Sequence, residues 1–158
     1  MDDVVIARAL HVLAVVIWIG GVATATTVIL PAIRRGDLGA DRLRAFHAIE
    51  HRFDWQARTA VIIVGLTGLY MAARLDLWGR FQSAQFWWMH AMVGVWLLFS
   101  FVLFVAEPFI LPRHFHKWAT AAPEVAFAWL HRVHWVLLAL SLITIFGAVA
   151  GAQGWSIF

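Results

Sequence analysis

Cysteine is absent from this 158-residue chain. Its absence excludes disulfides, iron–sulfur clusters, thiolate metal sites and covalently attached c-type haem. Any metal or cofactor must be held by His, Met, carboxylate or backbone groups. Charge is the second scarcity. Asp, Glu, Lys and Arg make up 13% of the chain and hydrophobic residues 63%, where a soluble domain carries roughly a quarter charged residues. Lipid is therefore the expected solvent. No internal repeat or low-complexity tract is present, and the length leaves room for one domain, a single transmembrane unit over 1–158. A Gly-rich phosphate loop, a Ser/His/Asp arrangement and an H-E-x-x-H motif are also missing. In His47-Ala48-Ile49-Glu50-His51 the Glu falls one residue late for the zinc-protease pattern.

What is present falls into four apolar spans. A crossing needs about 20 residues, and residues 9–33, 81–106 and 133–158 carry no Asp, Glu, Lys or Arg. The expected helices are 4–30, 57–77, 85–111 and 131–153. The second is the weakest and needs Arg58 and Arg74 to snorkel from its ends. Pro31 is expected to end the first helix, and Pro108 with Pro112 the third. The first span is too long for a signal-peptide core and is expected to stay in the membrane. Between spans one and two, Leu43, Phe46, Ile49 and Phe53 recur at helical spacing, which predicts an amphipathic interfacial helix over 38–56. The fold class is thus all-α: an integral membrane four-helix bundle with one interfacial helix and almost nothing outside the membrane and its surfaces.

Lys and Arg give the orientation. Loops one and three hold Arg34, Arg35, Arg42, Arg44, Arg52, Arg58, Arg113, Lys117 and Arg132, and the opposite side holds Arg8, Arg74 and Arg80. The asymmetry places both loops in the cytoplasm and both termini outside, in a bacterial-type inner membrane. Trp55, Trp118 and Trp129 would mark the inner interface, and Trp78, Trp87, Trp88 and Trp155 the outer one. The basic residues lie beside apolar spans, so the partner of the net charge of +3 is the bilayer rather than nucleic acid.

Eight histidines are many for so apolar a chain. This topology sorts them by depth. His11 on helix one and His90 on helix three both fall within ~10 Å of the outer boundary, where two imidazoles could ligate one haem iron. Gly94, one turn from His90, leaves space for a porphyrin face, and Trp18 lies on the His11 stripe. At the inner end, His51 and His134 are the first candidates for a second haem or a metal ion, with His47, His131 and Glu107 behind them. His114 and His116 belong to a short solvated loop. Met89-His90-Ala91-Met92 invites copper, which suits His and Met ligands. At ~100° per residue, however, Met92 points far from His90.

The segment LHVLAVVIWIGG, residues 10–21, resembles the first helix of two related families of small membrane proteins. These are the copper-resistance protein D (CopD) family and the HemJ-type protoporphyrinogen oxidases, four-helix haem b proteins. WWMHAMVGVWLL, residues 87–98, resembles the HemJ third helix built on W-x-H-x-K-L. EPFILPR (107–113) and HRVHWVLLALSLITIFGAVAG (131–151) look more like CopD-type proteins. The resemblance implies haem ligation by His11 and a matching third-helix role for His90. Met92 stands where the HemJ pattern has Lys, which removes a cation suited to a substrate carboxylate. The expectation is a b-type haem protein, with one haem or two, that transfers electrons or performs redox chemistry with an unidentified redox partner or quinone-like molecule. Copper handling of CopD type, HemJ-like protoporphyrinogen oxidation and a structural subunit are the alternatives. Self-association into a homo-oligomer is left open.

Overall fold

The computed structural model describes residues 2–39 and 41–155, and leaves aside the side chains of Pro112 and Arg113. The residue Ala40, within the expected interfacial helix, lies outside the described residues. Four helices are long and apolar enough to cross a membrane: α1 (Asp2–Arg35), α2 (Arg42–Arg74), α3 (Ala84–Ile110) and α5 (Pro123–Ala152). The short α4 (Leu111–Ala121) continues directly from α3. No strand occurs among the described residues.

The helices run up, down, up and down. Tyr70 and Arg74 at the end of α2 both donate to Asp3 at the start of α1. Arg42 at the start of α2 reaches Glu124 at the start of α5. Both termini therefore share one end, and the basic segments share the other. Neighbouring helices pack α1 on α2, α2 on α3, α3 on α5 and α5 on α1. Helices α1 and α3 are consequently diagonal, and they meet through Trp18 and Phe99, whose rings stand edge-to-face at 4.8 Å.

Several helix ends differ from the sequence expectation, each for a local reason. Pro31 does not end α1. The turns Ala25–Ile29 are π-helical, so the Leu30 N–H bonds to the Ala25 carbonyl. A widened turn absorbs the proline without breaking the helix. The stop is Gly36, at φ 81, with Asp37 N–H on the Ala32 carbonyl and Gly36 N–H on the Ile33 carbonyl. This is the Schellman arrangement, which favours glycine because other residues resist that backbone region. Pro108 behaves like Pro31: it lies inside π-helical turns at Val102–Ile110, and the chain stays helical to Ala121.

The interfacial helix over 38–56 does not form as a separate element. Residues 42–56 are the first half of a single helix ending at Arg74. Nothing between Arg42 and Val64 breaks it, since that stretch has neither Pro nor Gly. At ~1.5 Å per residue its 33 residues span about 50 Å, well beyond a ~30 Å hydrocarbon core. Helix α5 likewise starts at Pro123 rather than 131. His131 and His134 are thus two to three turns inside it. His114 and His116 lie on α4, not in a loop, although both are exposed.

These extensions build a second hydrophobic core. The first holds Ala14, Trp18, Val61, Val64, Phe99, Leu103 and Leu138 between the spans. The second, at the basic end, holds Leu30, Ile33, Phe115, Ala119, Ala126, Phe127 and Leu130, with Leu43 and Phe46 against it. A helical cap therefore stands outside the apolar spans, where almost nothing was expected.

Candidate functional site

Within the spans, aromatic rings sit on glycines. A Cβ added to Gly65 of α2 would lie 2.6 Å from Trp96 Cζ2. Trp87 covers Gly147 and Trp88 covers Gly151 in the same way. Trp96 also donates its Nε1–H to the Val61 carbonyl at 2.9 Å. Trp87 and Trp88, read from sequence as interface markers, are therefore packing residues, whereas Trp55, Trp78, Trp129 and Trp155 are largely exposed. Sequence reasoning missed these seats. The signal was Gly147-Ala148-Val149-Ala150-Gly151, a G-x-x-x-G spacing that lets a neighbour approach closely.

His11 occupies the fourth seat, with its Cε1 3.3 Å from where a Gly68 Cβ would be. Its Nδ1 lies 2.9 Å from Thr67 Oγ1. The Thr67 hydroxyl is already donated to the Ile63 carbonyl at 2.6 Å, so His11 Nδ1 must be the donor. The ring also hydrogen-bonds to the Val64 backbone; with Nδ1 as the donor on this side, Nε2 would be the nitrogen left for a metal. A groove of about 450 Å³ opens beside it between α1 and α2, lined by Ala7, Leu10, Leu66 and Thr67 among others.

His134 reaches the same state by another route. Its Nδ1 is 3.0 Å from the Leu130 carbonyl one turn back. A carbonyl can only accept, so Nδ1 carries the hydrogen and Nε2 is left as a lone pair. His131, three residues earlier, is fully engaged. Its Nε2–H donates to the Thr26 carbonyl at 2.9 Å, and its Nδ1 accepts from Arg34 Nη1 at 2.9 Å. The Thr26 carbonyl needs this donor, because Leu30 N–H is diverted to Ala25 and Pro31 has no N–H to offer. His131 therefore ties α5 to the widened turn of α1 and keeps no nitrogen for a metal.

His90 Nε2–H donates to the Phe81 carbonyl at 3.0 Å, with the Phe81 ring edge-on at 5.3 Å. His90 and Gly94 both lie on an exposed stripe of α3, and nothing stands within 4 Å of a Cβ added to Gly94. Among the described residues no hydrogen bond or ring contact joins His90 to His11. Trp18 is 5% exposed and lies in the core against Phe99. Met89 is buried and His90 exposed, which separates them as the helical wheel requires.

The remaining basic-end candidates are dispersed. His51 is exposed. His47 contacts Glu50 at 2.9 Å and stacks on His116 with ring centroids 6.1 Å apart. Glu107 and Asp54 each lie 3.4 Å from Arg58 Nη2. Among the described residues, no group of three or more His, Asp and Glu side chains is arranged to hold a metal ion. Three buried polar atoms, Trp18 Nε1, Arg58 Nε and Ser100 Oγ, have no hydrogen-bond partner among them either. The chain matches no protein-family model, no curated protein and no solved structure.

Proposed function

We propose that this chain is a b-type haem protein of a bacterial-type cytoplasmic membrane, with its basic end in the cytoplasm, that takes part in transmembrane electron transfer or redox chemistry. The observation that carries this reading is the shared state of His11 and His134. Each commits Nδ1–H to a fixed oxygen of the bundle and presents Nε2 as a lone pair. Such an anchor sets the tautomer and orients the ring of a metal-ligating imidazole. His11 and His134 are accordingly the candidate iron ligands, one toward each end of the bundle. The resemblance of residues 10–21 to CopD and HemJ proteins supports His11 independently. His90 would have to exchange the Phe81 carbonyl for iron, so the two sites are assigned to single histidines of the chain rather than to a His11/His90 clamp.

Haem bound at such a site supplies a one-electron couple, with a potential set by ligand, burial and nearby hydrogen bonds. The chain's own residues anchor the imidazoles through Thr67 and the Leu130 carbonyl.

An absorption spectrum of detergent-purified protein, followed by a pyridine haemochrome assay, tests the reading. A Soret band that weakens in His11→Ala or His134→Ala and persists in His131→Ala is the expected result. A colourless protein after haem-replete expression would overturn it, and copper without haem in metal analysis would replace it with metal handling. Orientation has its own test, because the chain lacks cysteine. A cysteine introduced at Asp37 should resist a membrane-impermeant maleimide in intact cells, whereas one at Gln153 should react.

A further inference from the structure

At the basic end, Pro31, Arg34, Arg35, Arg42 and Glu124 surround a cavity of about 370 Å³. Its depth follows from the chain. Arg34 is the first charged residue after the uncharged run 9–33, which at ~1.5 Å per residue extends about 38 Å. That length covers a ~30 Å hydrocarbon core and part of its interface, so the Arg34 head lies at headgroup level. Val28, one turn from Pro31 toward the span, is 59% exposed. The cavity thus has cationic walls on one side and an apolar helix face leading away from it on the other.

Its charges are poorly compensated from within. Three guanidiniums face a single carboxylate on the lining. Arg42 reaches Glu124 only at 3.5 Å, and the Glu124 side chain is 80% exposed. Arg35 is paired outside the cavity with Asp37 at 2.8 Å. Arg34 gives one N–H to His131 Nδ1, a neutral acceptor, and has no carboxylate partner among the described residues. Gathering like charges costs free energy unless an anion joins them. A guanidinium carries five donors in a fork that matches phosphate oxygens, and at most two on any of these arginines are spent on the bonds described.

We infer that this cavity binds the phosphate of an anionic phospholipid, with Arg34, Arg35 and Arg42 on the headgroup and the acyl chains descending past Pro31 and Val28. Basic pockets between helices at a membrane surface are suited to such headgroups. The inference stands apart from the cofactor reading, since none of these residues holds an imidazole ligand. It also gives the Arg34–His131–Thr26 chain a second role, because the lipid would rest on the joint between α1 and α5.

The test uses the full chain, stripped of lipid in neutral detergent and read by native mass spectrometry. Phosphatidylglycerol and phosphatidylcholine with identical acyl chains are added separately. Phosphatidylglycerol should be retained at about tenfold lower concentration than phosphatidylcholine, and Arg35→Gln/Arg42→Gln should abolish that preference. Lys117→Gln, an exposed cation of the same end outside the cavity, should keep it. Equal retention of the two lipids, or a loss in Lys117→Gln matching that of the double variant, overturns the proposal. Inorganic phosphate separates the two sources of the group. If phosphate alone raises the melting temperature as much as phosphatidylglycerol does, the ligand is a soluble phosphate and the lipid assignment is overturned. Arg35→Gln alone, at a side chain 64% exposed, serves should the double variant not fold.

Discussion

The two cores of this protein use the same amino acids for different reasons. Between the spans, outward positions are as apolar as inward ones: Val16 is 63% exposed, Leu66 65% and Phe146 65%. Lipid tails solvate those side chains about as well as a neighbouring helix does, so hydrophobicity cannot choose which face turns inward. Shape chooses instead, through Trp87, Trp88, Trp96 and His11 seated on four glycines. At the basic end charged side chains share the surface with exposed apolar ones such as Trp55 and Val125, and the buried positions are more sharply set apart. Phe127, Leu30 and Ile33 are almost wholly buried, while Arg44, His114 and Lys117 face outward. Phe46, Phe115 and Phe127 form a cluster with centroids 5.7 to 6.0 Å apart. There, transfer out of water is the driving force.

Substitutions can break this comparison or refine it. The largest effect is expected from Phe127→Ala in the cap, about 3–5 kcal/mol, read as loss of thermal stability in detergent. Leu66→Ala, on the lipid face, should be nearly silent in the same assay. Equal losses would mean that both regions obey one rule. Next comes Gly65→Ala, which drives a methyl into Trp96 and should cost about 1–3 kcal/mol. Gly94→Ala meets nothing, and replaces a poor helix former with a good one, so it should be neutral or stabilise by up to about 1 kcal/mol. If Gly94→Ala also disturbs a haem spectrum, the exposed α3 stripe is part of the cofactor site. His131→Ala strands the Thr26 carbonyl and should cost about 1–3 kcal/mol, with no change in any Soret band. A small loss, about 0–1 kcal/mol, is expected from Arg42→Ala, whose long pair with the exposed Glu124 contributes little. Melting curves of the purified variants would rank all six.

The same contrast explains what could be read from the sequence. Four crossings were legible because lipid imposes a simple rule on composition, and even the weak second span obeys it. Helix ends were not, because Pro31 and Pro108 usually end helices and here are absorbed by widened turns. The cap was half visible: Leu43, Phe46, Ile49 and Phe53 announced an amphipathic surface, and their partners on α4 and α5 lay too far along the chain to be matched. For the site, sequence could nominate His11 and His134. It could not reveal that Thr67 and the Leu130 carbonyl leave both with a free Nε2, or that Phe81 claims His90. Those distinctions depend on how helices are rotated against each other, and the spans, apolar on every side, carry little information about rotation.

The widened turn at Ala25–Ile29 bears on that rotation. Buried positions on α1 run through Ala7, Ala14, Trp18 and Ile19 and then Thr26, Leu30 and Ile33. From Trp18 to Leu30 the inward positions advance by fours, a pace that would drift around an ordinary helix of 3.6 residues per turn. The extra residue in the wide turn cancels the drift, and one continuous rod can serve both the lipid-embedded core and the cap. It works as a phase adjustment of about 100°, the angular share of one residue. Tightening it to an ordinary turn with every residue kept would turn everything beyond by one residue's angle, swinging Leu30 and Ile33 out of the cap and Arg34 away from His131. Deleting Val28 as the turn tightens would instead remove the extra residue, leaving Leu30 eleven positions and about 20° from the direction of Trp18, so those contacts would survive.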